Sequence, residues 1–104
     1  MIRKASIMYV NQDCYLEYKR RHDEIWPEMA AELKVHGARN YSIFLDRESG
    51  RLFAYLEIES EEKWENMSKT AVCQKWWAYM EPLMKTEPDN RPVTVDLEEV
   101  FFLA

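Results

Sequence analysis

The 104-residue chain is poor in the residues that make loops and cross-links: it has 2 Gly, 4 Pro and 2 Cys. So few glycines leave no room for a Gly-rich phosphate loop or a dinucleotide fingerprint, which argues against a nucleotide cofactor. Cys14 and Cys73 form no CxxC pair and have no zinc spacing, so they read as free thiols in a reducing compartment. No apolar run approaches the roughly 18 residues that a membrane helix needs. The opening MIRKASIMYVNQD has neither the apolar stretch nor the cleavage site of a signal peptide. The expected location is therefore the cytoplasm, with no membrane partner. Basic charge is also scarce. Against 19 Asp and Glu there are 14 Lys and Arg, and the net charge of −5 argues against a nucleic-acid partner.

What is present is a globular composition, 47% hydrophobic and 32% charged. The length suits one domain, residues 1–104. Aromatics reach 13%, with 4 Trp and 6 Tyr, which hints at an interface or a flat-faced ligand.

Arg3 to Val10 reads as a strand. From Asp13 to His36 the pattern is helical: Tyr15, Tyr18, His22, Ile25, Met29 and Leu33 recur at spacings of three and four and share a face. Gly37 is the stop signal. Pro27 cannot donate to the carbonyl of Asp23, so a kink or break is expected between Asp23 and Pro27, with His22 at its edge. Arg39–Asp46 and Arg51–Ile58 alternate as strands around the loop RESG. Tyr41, Ile43 and Leu45 share one face of the first; Leu52, Ala54, Leu56 and Ile58 share one face of the second. The opposite faces carry Phe44, Phe53 and Tyr55, so both sides of the sheet need cover. Ser60 is the expected N-cap of a helical stretch through Trp64 and Met67. A second piece runs from about Ala71 to Met84. TEPDNRPV is loop-like, and Val95 to Leu103 reads as a last strand.

The order is β-α-β-β-α-β. This implies an α+β, ferredoxin-like fold: a four-stranded antiparallel sheet with the helices on one face. The other face is apolar, which points to a second copy of the same chain.

Spacing alone leaves the candidate site residues open. His22 has no His or Cys at ligand spacing, so no metal site is expected, and by itself it reads as a half-buried helix histidine. His36 reads as a cation at a helix C-terminus. Trp76 and Trp77 are adjacent and point about 100° apart on a helix, so at least one must line a cleft, a seam or a ligand. Indole and phenol groups, flat and apolar with a polar tip, suit a pyranose.

The stretches EYKRRHDEIWPEM, HGARNYSIFLD, IESEEKWE, CQKWWAYM and EPDNRPV together resemble the L-rhamnose mutarotase family over essentially the full length. The resemblance implies a dimeric α+β barrel that interconverts the α and β anomers of L-rhamnose as a cytoplasmic homodimer, without metal or organic cofactor. It implies that His22 is the catalytic proton donor. Tyr18, Tyr41, Trp76 and Trp77 would contact the sugar. Ring opening must move a proton from the anomeric hydroxyl to the ring oxygen, and histidine suits that work near neutral pH. The expected role of His22 is acid toward the ring oxygen, with the acceptor of the anomeric proton left open. Two other classes remain compatible with the residues: a cofactor-free or haem-handling oxygenase of the same fold, and a non-catalytic sugar-binding module.

Overall fold

In the computed structural model, which describes all of residues 1–104, four strands make one sheet. They are β1 (Ile2–Tyr9), β2 (Arg39–Asp46), β3 (Arg51–Ile58) and β4 (Val95–Leu97), in the spatial order β2-β3-β1-β4. Every neighbouring pair is antiparallel. The crossover from β1 to β2 holds α1 (Tyr15–Asp23) and α2 (Pro27–Val35). The crossover from β3 to β4 holds α3 (Glu61–Glu65) and α4 (Ala71–Met80). The expected β-α-β-β-α-β order and ferredoxin-like sheet are present.

Alternation explains which face meets the helices. On β3, Leu52, Ala54, Leu56 and Ile58 are buried; of the residues alternating with them, Arg51 and Phe53 are exposed and Tyr55 and Glu57 half-buried. Burying a Leu- or Ile-sized side chain stabilises by about 1.5–3 kcal/mol, so this register is strongly set. Leu52 joins Val10, Tyr18, Met29, Met67, Cys73, Trp76, Met80, Leu83 and Met84 in the main core. Ala38, Leu56 and Ile58 form a smaller cluster against Leu33 and Trp64. Arg21 ties α1 to α4: it donates to the Tyr79 carbonyl, and its guanidinium lies 4.0 Å from the Tyr79 ring centre.

The long helical pattern breaks where Pro27 requires. α1 ends at Asp23, and Pro27 becomes the first residue of α2, where its missing N–H costs nothing. Ser60 caps α3 by accepting from the Lys63 N–H, and Thr70 caps α4 by accepting from the Cys73 N–H. Two expectations need correction. The helix expected from Ala71 to Met84 ends at Met80 and tightens into a 3₁₀ turn over Glu81–Leu83, because Pro82 cannot continue an α-helical ladder. The last strand is only Val95–Leu97, not Val95 to Leu103. It pairs with Ile7, Ser6 and Ala5 alone, and Lys4, Arg3 and Ile2 at the start of β1 have no strand partner on that side.

The outer face of the sheet carries Phe44, Phe53, Val95 and Leu97, all exposed, and Ile7, which is half-buried. Beyond β4, Val100, Phe101, Phe102 and Leu103 are exposed as well. No helix is long and apolar enough to cross a membrane.

Candidate active site

Residues from α1, β2 and α4 meet on the helix side of the sheet. Tyr18 and His22 are one helical turn apart on α1, and their rings stack at 4.3 Å between centres and 27° between planes. Trp76, from α4, presents its ring edge-on to His22 at 5.4 Å and 87°. Tyr18 and Trp76 are buried, while His22 is half-buried.

One nitrogen of His22 is committed. Nδ1 lies 2.9 Å from the Tyr18 carbonyl oxygen, which can only accept, so Nδ1 carries the proton of the neutral ring. Nε2 then bears the lone pair. It has no partner within the chain, and it is not a sealed, unsatisfied atom. Burial pushes the His22 pKa below its ordinary value of 6.5, against the raising effects of the Tyr18 carbonyl and Asp23. The resting imidazole is therefore neutral at pH 7.

The Tyr18 hydroxyl and the indole N–H groups of Trp26, Trp76 and Trp77 likewise have no partner in the chain and are not sealed. Burial raises the Tyr18 pKa, with Tyr41 adding to the effect, so the phenol stays protonated. Tyr41 projects to the same side from β2, its ring 6.3 Å from that of Trp64. The residue keeps 40% exposure, but its hydroxyl is the shielded end: burial pushes its pKa up to about 12, with the Cys73 thiol adding to it. The Cys73 thiol is itself raised to about 11 by burial, so it is not an activated nucleophile.

The tryptophan pair diverges as helix geometry requires. Trp76 enters the core beside His22. Trp77 is half-buried and makes no ring contact with His22, Tyr18 or Trp76; its ring lies 5.0 Å from the Arg91 guanidinium. Spacing did not single out Trp26. It packs edge-on to Trp76 at 5.0 Å and lies 5.3 Å from Tyr79, so it buttresses the far side of Trp76. The available signal was an aromatic four residues after His22, directly before the helix-breaking proline. Cys73, three residues before Trp76 on α4, was legible as a helix neighbour of the site.

No three His, Cys, Asp or Glu side chains gather as a metal-ligand set. Cavities of about 130 Å³ and 190 Å³ lie elsewhere, along β1 and β4. The two basic residues that line both are already paired, Arg3 with Glu99 and Lys4 with Glu61. The free, reachable nitrogen at His22 is the better mark of chemistry.

A family profile described as L-rhamnose mutarotase matches residues 3–103. The chain is 69% identical over 103 residues to the L-rhamnose mutarotase of Bacillus subtilis, covering 99% of both chains. It superposes on the crystal structure of the L-rhamnose mutarotase from Formosa agariphila with a TM-score of 0.92, at 38% identity and full coverage of both chains. A protein from an uncultured marine organism, described as a dimeric ferredoxin-like protein, shares the fold at a TM-score of 0.63. Its 12% identity carries the likeness no further than the fold; it covers 98% of this chain and 95% of its own.

Proposed function

Starting from the fact that the chain belongs to the L-rhamnose mutarotase family, we propose that His22 moves the proton in its reaction and that Tyr18, Tyr41, Trp76 and Trp77 hold the sugar. The protein is an isomerase that interconverts the α and β anomers of L-rhamnose. Neither the oxygenase class nor the non-catalytic binding module describes a member of this family.

The observation that carries the proposal is the division of labour on one imidazole. Nδ1 is fixed on the Tyr18 carbonyl, and Nε2 is free. A neutral histidine has no proton on Nε2 to give, so the proton meant for the ring oxygen must first be taken up. The anomeric hydroxyl supplies it. Nε2 accepts that proton as C1–O1 becomes a carbonyl, and the C1–O5 bond breaks. The imidazolium then returns the proton to O5. The two oxygens share one carbon, so a single nitrogen can serve both. After rotation about C1–C2 the steps reverse on the other carbonyl face, and His22 ends neutral. No proton or electron is left over.

Positioned acid–base groups of this kind supply typically 10²–10⁴-fold, with the remainder coming from holding the sugar and its open chain in place. The Tyr41 ring and the indoles of Trp76 and Trp77 offer apolar faces to the C–H side of the pyranose. The Tyr18 and Tyr41 hydroxyls donate to its oxygens. As part of the same proposal, the enzyme acts in the cytoplasm as a homodimer that covers the apolar outer face of its sheet, without nucleic-acid, membrane, metal or organic-cofactor partners, and residues 1–104 form a single domain.

The test is saturation transfer between the anomeric protons of equilibrated L-rhamnose. Wild type transfers saturation well above the buffer rate. His22→Ala loses this enhancement while retaining its circular dichroism spectrum. A folded His22→Ala variant with near-normal exchange refutes the assignment.

A further inference from the structure

The PDNRPV loop contributes nothing to the acid–base step, yet it is tightly built. Thr86 and Pro92 close as an antiparallel bridge. The Glu87 N–H donates to the Arg91 carbonyl at 2.7 Å, and the Asn90 N–H donates to the Glu87 carbonyl at 2.9 Å. The Arg91 N–H donates to Asp89 Oδ1 at 3.1 Å. Asn90 takes φ +72°, a left-handed conformation that Asn tolerates better than most residues. The backbone of Arg91 is thus held at both its N–H and its C=O.

The side chain of Arg91 is placed and unspent. Its guanidinium centre lies 5.0 Å from the centre of the Trp77 ring, and it makes no ion pair or hydrogen bond within the chain. A cation over an aromatic face uses the flat side of the guanidinium and leaves its five in-plane N–H donors free. Arg21 is the contrast: it also lies over an aromatic ring, but its donors are taken by Glu17 and the Tyr79 carbonyl. The charge of Arg91 also reaches the Cys73 thiol, opposing the effect of burial there, and Cys73 in turn acts on Tyr41. Arg91 therefore stands with Trp77 and within reach of the Cys73 thiol, while His22 stands with Tyr18 and Trp76.

A neutral sugar offers lone pairs on every hydroxyl, and an arginine is donor-only. We infer that Arg91 is a further substrate-binding residue, its guanidinium steadied on the Trp77 ring and donating to ring hydroxyls of the sugar away from the anomeric carbon. The inference rests on the sugar site proposed above. Those hydroxyls do not change charge during ring opening, so the contact is made equally in the bound and transition states. It lowers KM and leaves kcat alone.

Arg91→Met keeps the length of the side chain and removes its donors. By saturation transfer, its KM for L-rhamnose rises roughly ten- to a hundredfold, the loss expected for charge-assisted hydrogen bonds. Its kcat stays within about threefold of wild type, because the contact does not change along the reaction. Arg91→Lys retains the charge without the planar fork and recovers part of the loss. Among singly deoxygenated analogues of L-rhamnose, the one lacking the contacted hydroxyl no longer distinguishes wild type from Arg91→Met. An active Arg91→Met or Arg91→Lys enzyme with unchanged KM overturns this inference and leaves the His22 assignment standing. Lowered kcat at constant KM also overturns it. A wild-type chain that fails to exchange the anomers overturns both.

Discussion

Histidine chemistry near neutral pH depends on which ring nitrogen is free and which protonation state burial favours. In His22 the free nitrogen is Nε2, and burial favours the neutral ring. The first chemical step needs that neutral form, so kcat is flat around pH 7. It falls as the pH drops below 6.5, through the lowered pKa of His22. A kcat that rises on acidification contradicts this order of proton transfers. The same shift bears on stability. The unfolded chain takes up the proton first, so His22 withdraws stability as the pH falls from 6.5 toward its folded value. The tyrosine beside it gives a second prediction. The Tyr18 hydroxyl has no partner in the chain, so Tyr18→Phe strands no polar group, and its urea midpoint shifts by no more than about 1 kcal/mol equivalent. Its kcat/KM for L-rhamnose falls at least about tenfold, because a hydrogen bond to the sugar is lost. Tyr18 and His22 were legible in the sequence as a pair four residues apart on one helix face. Trp26 was not, because the periodic pattern runs from His22 through Ile25 to Met29 and passes over the residue after Ile25.

Element by element, the sequence was most informative where local chemistry decides. Pro27 placed the break in the first crossover, Ser60 the start of α3, and the alternation on β3 the buried face of the sheet. It was least informative at Val95–Leu97, whose only partner is β1, a segment from the other end of the chain that no local pattern records. The hairpin joining β2 and β3 gives a sharp test. Gly50 has φ +76°, and a Cβ there would lie 2.7 Å from the Val10 carbonyl oxygen, a backbone atom that cannot swing aside. The Val10 N–H is also bonded to the Gly50 carbonyl at 2.9 Å, so strain at the turn passes to the end of β1. Gly50→Ala combines a left-handed penalty of about 1–2 kcal/mol with this clash, and the loss of stability in urea exceeds about 2 kcal/mol. A loss below about 0.5 kcal/mol would show that the turn relaxes freely.

For the whole molecule, the sheet is covered on one side only. Phe44 is 67% exposed and Phe53 38% exposed on the uncovered side. The proposed homodimer removes that surface from water. Phe44→Glu places a charge on it, and in sedimentation velocity it shifts the protein toward the monomer by at least about tenfold in dissociation constant. An unchanged dimer would move the interface elsewhere. The composition hinted at this surface, since the two faces of β2 and β3 are both apolar, but no sequence pattern states what lies across it.

The position of β1 in the sheet has a further consequence for how the protein is made. β1 is an inner strand, paired with β3 on one side and β4 on the other. It is synthesised before both of its partners, and Ile7 must wait for Val95 before its second edge is closed. Until then Ala5, Ser6 and Ile7 have an open edge on that side of the sheet. Long-range pairing of this kind slows folding and leaves nascent chains prone to association. Ribosome-bound chains truncated before Val95 should therefore be protease-sensitive throughout, with protection arriving in one step near full length.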